Sequence, residues 1–300
     1  MNQYISVFLK GMAMGVAEVI PGVSGGTVAF ITGIYERLLN AIKSFSPSLF
    51  GVLKEEGVKG VWEKIDGTFL VALFAGMLVS LVSLAHLITS LMEDYPVLLW
   101  AFFFGLIIAS AVFIGRQLSK WNISNIIALV IGAIIAYFIT IISPASPNEA
   151  IWFVFLSGAI AISAMILPGL SGSFILLLMG MYTYVFSAIK SLDFAIIGVF
   201  GLGCVVGILS FSHVLSWTFK HYKDITLAFL TGLMLGSLNK VWPWRNVLET
   251  RINSHGEEVP FRELSVLPSD FAGGEPYLLG ALCLIVVGFI VVFLLERVSK

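Results

Sequence analysis

Apolar positions in this chain come in long unbroken runs, not at the every-third-residue or alternating spacing of a soluble domain. Runs centred on residues 66–86, 101–110 and 123–142 in the first half, and 193–213, 228–237 and 277–295 in the second, predict membrane-crossing helices, which need roughly 20 residues each. Two further runs, 8–45 and 155–192, are interrupted midway by the same Pro-Gly-x-Ser-Gly. These two align without a gap at an offset of 147, with 14 identities in 38 positions. Among the identities are Pro21/Pro168, Gly22/Gly169, Ser24/Ser171, Gly25/Gly172, Gly33/Gly180, Tyr35/Tyr182 and Lys43/Lys190. The repeat continues at an offset of 127, where residues 66–86 match 193–213 and residues 101–110 match 228–237. The first copy therefore holds about 20 extra residues between Ser46 and Gly67. The expected fold is an all-α polytopic membrane protein of two repeats, residues 1–143 and 144–300. Each repeat is a broken, re-entrant helical hairpin followed by three transmembrane helices.

Parity predicts the topology. Each arm of a broken run has about 12 to 18 residues, roughly 18–27 Å of helix, which is marginal for a crossing. The hairpin should enter and leave on one side. Three spans then carry the chain across, so the second repeat starts from the opposite side and the repeats are inverted. Lysine and arginine orient the chain. With the N-terminus inside, Lys10, Lys54, Lys59, Lys64, Arg116, Lys120, Lys220, Lys223, Arg297 and Lys300 fall inside. The short outer loops, 93–96 and 143–149, carry no Lys or Arg. Lys190 falls outside, as do Lys240, Arg245, Arg251 and Arg262 in an external loop at about 239–275, the one sizeable polar stretch and a candidate cap.

Composition agrees: 58% of the 300 residues are hydrophobic and 12% charged, where a soluble domain has about 25% charged. A net charge of −1 argues against a nucleic-acid partner. Cys204 and Cys283 both lie in apolar runs and read as small fillers, not as a disulfide or metal site. No cleavable signal is expected, because the first apolar segment runs directly into the repeated motif.

The chemistry gathers at the breaks. Proline removes a backbone N–H and ends the first arm, and glycine lets backbone approach a ligand closely. Ser24 or Thr27 can cap a new helix starting near Gly26. A tip of free N–H groups at a helix start suits an anion such as phosphate. The candidate phosphate-binding residues are Gly22, Ser24, Gly25, Gly26 and Thr27 in the first tip, and Gly169, Ser171, Gly172 and Ser173 in the second. Inverted symmetry would bring the tips together near the midplane. The alternative for one copy is a kink for tight packing; the symmetric pair favours a binding site.

Other candidates are single residues. Glu18 lies one turn before Pro21, deep in the membrane, where carboxylates are costly and often functional. It is a candidate for proton coupling, or it hydrogen-bonds a backbone N–H freed at the break. Its repeat partner is Met165. Arg37 stands near the inner headgroup level, as a guide for an anionic headgroup or an interfacial residue beside Glu36. Lys43 and Lys190 end equivalent arms on opposite sides and are candidate entry cations; snorkelling boundary lysines are the alternative. His86 and His213 are repeat equivalents with no Cys, His or Asp spacing that supports a metal. Asn122-Ile123-Ser124 fits a glycosylation pattern on the inner side and is discounted.

The two motifs, GMAMGVAEVIPGVSGGTVAFITGIYE (Gly11 to Glu36) and LPGLSGSFILLLMGMY (Leu167 to Tyr182), resemble those of bacterial polyprenyl-phosphate transporters. The resemblance covers essentially the whole chain. It implies a flippase of the cytoplasmic membrane that returns undecaprenyl phosphate from the outer to the inner leaflet. The Lys/Arg distribution then puts both termini on the cytoplasmic side; no cofactor is expected, and a homodimer is a candidate assembly. Gly15 to Pro21 also resembles the acidic motif of undecaprenyl-pyrophosphate phosphatases. Those enzymes carry an Arg in the second Pro-Gly loop, and here Pro168 to Ser173 has none. A single acid without Arg is poorly equipped for phosphoryl transfer. Transport of another anion is a third reading.

Overall fold

The computed structural model describes residues 3–19, 24–252 and 258–299. The first half runs α1 (Gln3–Val19), α2 (Gly25–Ile31), α3 (Tyr35–Lys43), α4 (Leu49–Lys64), α5 (Gly67–Asp94), α6 (Pro96–Gly115) and α7 (Ile123–Ile141). The second runs α8 (Ile151–Ile166), α9 (Gly172–Leu178), α10 (Tyr182–Lys190), α11 (Phe194–His221), α12 (Lys223–Ser237), strands β1 (Arg245–Ile252) and β2 (Glu258–Ser265), and α13 (Leu278–Ser299).

The repeat is legible in the packing. Gly11 of α1 lies against the Leu73 carbonyl of α5, and its equivalent Gly158 of α8 lies against the Phe200 carbonyl of α11. Gly76 against Phe8 is matched in the same way by Gly203 against Phe155. The later helices exchange partners between halves. Gly105 of α6 meets the Ile285 carbonyl of α13, and Gly232 of α12 meets the Leu129 carbonyl of α7. Small residues let backbones approach this closely in lipid, where packing drives association. The same contacts pair α7 with α13, two segments whose sequences show no evident alignment. Some contacts break the equivalence: α3 packs against α11 and α2 against α6, whereas α10 makes no comparable contact with α5, nor α9 with α12.

Three features differ from the sequence expectation. The returning arm of each hairpin is two helices, because Gly33 and Gly180 both take φ +72°, which a side chain disfavours. The resulting bend between α9 and α10 is 107°. The 20 extra residues of the first half form α4, broken at Gly57 (φ +68°). The external loop holds an antiparallel β1–β2 pair, the departure from an all-helical chain. It packs as a cap, with Trp242, Trp244 and Phe271 against Val97, Ala101 and Ala281 at the starts of α6 and α13.

Among the described residues, four helices are long and apolar enough to cross a bilayer by themselves: α5 over Gly67–Leu84, α6, α7 and α11. The bent pair α9–α10 makes a fifth if it counts as one span. Helix α12 has only 15 residues, and the apolar stretch of α13 covers Leu278–Leu294. Lys10, counted among the inner-face cations, lies within α1 and donates to the Thr32 carbonyl at the end of α2, 2.7 Å away. A cation there complements the helix dipole.

Candidate functional site

Pro168 ends α8 and frees the carbonyls of its last turn. The first hairpin supplies their donors. Ser24 Oγ lies 3.2 Å from the Met165 carbonyl and 3.1 Å from that of Leu167. Tyr35 donates its hydroxyl to the Ile166 carbonyl at 3.1 Å. In the other direction, the Gly169 amide donates to Thr27 Oγ1 at 3.1 Å. The two breaks thus meet and complete each other's hydrogen bonding. Ser24 and Thr27 are 2% and 0% exposed, so the contact is dry. Thr27→Val keeps the shape and removes the acceptor. A buried unpaired amide costs about 1–3 kcal/mol, so the variant should insert but melt at a lower temperature in detergent. An unchanged melting temperature would show that the contact contributes little.

The two tips are chemically different. In the first, Gly25 donates its amide to Glu18 Oε1 at 2.8 Å and Gly26 donates to Ser24 Oγ at 3.1 Å. Glu18 thus accepts a backbone N–H at the break, a contact compatible with either role. Residues 20–23, including Pro21 and Gly22, lie outside the described residues. In the second tip, Met165 replaces the acid, and Ser171 Oγ pairs with Ser173 Oγ at 2.9 Å instead of capping α9. Among the described residues, the Gly172 and Ser173 amides have no partner. The second tip therefore keeps, among the described residues, free amides, a donor type that suits an anion.

A recess opens at each end of α12, about 22 Å apart at 1.5 Å per residue. At the Lys223 end lies a cavity of about 360 Å³ lined by Glu36, Lys43, Ser216, Lys220 and Lys223, among others. Lys43 donates to Ser216 Oγ at 3.3 Å, and Lys223 pairs with Glu36 at 3.6 Å. Phe219 lines the cavity and stacks on Tyr35 and Phe30, so aromatic rings lie between it and the joined tips. At the Lys240 end lies a crevice of about 10 Å³, lined by Gly169, Ser171, Phe174, Thr140, Ser237 and Lys240. It has room for about one water.

Other candidates are placed as follows. Arg37 makes a two-pronged bond to Asp66, at 2.6 and 3.0 Å, and its guanidinium lies 4.3 Å from the Phe69 ring centroid. It joins α3 to the start of α5 and does not pair with Glu36. Lys190 sits exposed in the last turn of α10. His213 bonds the Leu209 carbonyl of its own helix at 2.7 Å. The His86 side chain lies outside the described residues. Asn122 caps α7 by accepting from the Asn125 amide. Lys240 also lines the crevice beside the second tip, and the sequence alone does not mark it. Its repeat equivalent is Phe113, so the duplication gives it no signal.

Two joined broken hairpins inside an apolar helical bundle define a polytopic membrane protein of duplicated design. A family model described as undecaprenyl phosphate translocase-like matches residues 14–259, and the chain belongs to that family. It is 51% identical over 268 residues to the polyprenyl-phosphate transporter of Vibrio cholerae, covering 89% of this chain and 87% of that protein. It is 32% identical over 253 residues to the polyprenyl-phosphate transporter of Staphylococcus aureus, covering 78% and 85%. No solved structure matches. The relatives are named as transporters, not enzymes, and the phosphatase alternative falls.

Proposed function

We propose that this protein carries a polyprenyl phosphate, undecaprenyl phosphate above all, from the outer to the inner leaflet of the bacterial cytoplasmic membrane. The observation that carries the reading is the meeting of the two breaks, Ser24 and Thr27 against Met165 to Gly169, in a chain whose relatives bear that transporter's name. The repeats, 1–143 and 144–300, are inverted, and both termini face the cytoplasm. The head group passes between the tips, from Ser171, Gly172 and Ser173 toward Gly22 to Thr27. The prenyl tail stays in lipid. Non-helical backbone at that depth is tolerated where it lines such a path. On the cytoplasmic face Lys43, Lys220 and Lys223 receive the phosphate, and Arg37 can join them only by releasing Asp66. Lys190 is the outer counterpart of Lys43. Glu18 couples passage to protons.

The test is purified protein in liposomes carrying labelled undecaprenyl phosphate, assayed for leaflet exchange and phosphate release. Exchange without release is expected; release, or no exchange, would refute the reading. Topology is tested by single cysteines in a Cys204→Ala/Cys283→Ala background. Asp94→Cys and Ser146→Cys should react with an impermeant thiol reagent from outside the cell, and Lys59→Cys should not. Reversed labelling would overturn the orientation, and labelling of all three from one side would overturn the inversion.

A further inference from the structure

Where α12 ends, three charged side chains converge below the surface. Lys240 Nζ and Arg245 Nη1 approach the same oxygen, Glu263 Oε2, at 3.4 and 2.7 Å. The three side chains are 22%, 9% and 19% exposed. Lys240 comes from the turn after α12, whereas Arg245 and Glu263 come from β1 and β2, so the external hairpin brings the carboxylate to the lysine. Two cations face one anion, which leaves a surplus positive charge. Arg245 Nε is buried and has no hydrogen-bond partner among the described residues. The guanidinium lies 4.5 Å from the Trp100 ring centroid.

The lysine also faces the second tip. Its ammonium stands 4.7 Å from the ring centroid of Phe174, in the first turn of α9, and it lines the crevice that holds Gly169 and Ser171. Lys240 therefore has the Glu263 carboxylate on one side and the tip with unpartnered amides on the other. Burial, and then the Arg245 charge, lower the Lys240 pKa, while Glu263 raises it.

A structural ion cluster in low dielectric is stable when its charges balance and its donors are all used. This one has a surplus charge and an unused donor. A phosphate group carries about −1.5 to −2 charges and three acceptor oxygens, against one charge and two oxygens for a carboxylate. A guanidinium suits it by offering donors in a planar fork. We propose that Lys240 and Arg245 form an outer receptor for a phosphate group, and that Glu263 is its built-in occupant, displaced when phosphate arrives. The hairpin that carries Glu263 would then move off the crevice, and Lys240 would hand the phosphate to Ser171, Gly172 and Ser173. This inference rests on the transport reading above.

The test uses full-length protein in nanodiscs, with farnesyl monophosphate and inorganic phosphate as separate probes. Glu263→Gln should bind farnesyl monophosphate about tenfold more tightly, and Lys240→Gln about tenfold more weakly, each tenfold being one decade in Kd. Equal weakening by both, or no change in either, would overturn the proposal. In the wild-type protein, hydrogen exchange across residues 258–265 should quicken when farnesyl monophosphate binds; unchanged or slower exchange would overturn the displacement even if a variant fails to fold. Inorganic phosphate acting as strongly as the prenyl probe would support the receptor and assign it to the free ion. Leaflet exchange by the same wild-type preparation separates the two readings. Exchange without any response from Glu263 or Lys240 refutes the receptor alone, and absent exchange refutes transport.

Discussion

Leucine in place of Gly26 should reduce leaflet exchange to the rate of protein-free liposomes while the protein still inserts. A Cβ at Gly26 would stand 2.4 Å from the Ile166 carbonyl oxygen. That oxygen belongs to backbone of the other hairpin and already accepts from Tyr35, so it cannot swing aside. Overpacking a tight contact typically costs about 1–3 kcal/mol, and here the strain falls where the two breaks must meet. Gly172→Leu should do the same within the second hairpin, with its Cβ 2.5 Å from the Ala161 carbonyl. Gly25 differs, because its Cβ would meet the end of the Glu18 side chain at 2.6 Å, which can rotate away. Gly25→Ala should therefore be milder than Gly26→Ala. Gly198 of α11 has open space around it, and Gly198→Leu should exchange lipid at the wild-type rate. Normal exchange by Gly26→Leu would show that the breaks do not work as a joined pair.

The sequence made the breaks legible because proline and glycine state their backbone needs locally, and because each statement is made twice. It made the cap at Ser24 legible too, whereas the cap at Asn122 emerged only from the structure. It did not show that Gly33 and Gly180, though identical in the repeat, bend the returning arms. An isolated glycine in an apolar run carries no unique turn signal. The partners of Ser24, Thr27 and Tyr35 were invisible too. They are backbone groups some 130 to 140 residues away, and backbone carries no letter. Lys240 and Glu263 were missed because their meeting depends on a β-hairpin inside a loop whose strands have weak patterning. Arg37 was read beside its neighbour Glu36. Asp66, 29 residues on, offers the two-pronged geometry that an adjacent residue on a helix cannot.

Glu18→Gln should separate the two roles open to this acid. A glutamine oxygen can still accept from the Gly25 amide, now made at 2.8 Å, so the start of α2 keeps its partner and the protein should fold as before. Glu18→Ala leaves that amide unpaired, at about 1–3 kcal/mol, and should melt at a lower temperature. Function should follow charge, not shape. Two like charges a few ångströms apart at low effective dielectric repel by several kcal/mol, so a phosphate beside the first tip requires a protonated Glu18. Uptake of a proton with the phosphate, and its release afterwards, would give transport a direction. Glu18→Gln is permanently neutral. It should bind the lipid phosphate, lose most of the pH dependence of that binding, and lose transport driven by a proton gradient, while passive exchange between leaflets survives. If Glu18→Gln instead responds to the gradient as the wild type does and only Glu18→Ala fails, the carboxylate serves as the cap of α2 alone, and coupling lies with other groups, His86 and His213 first.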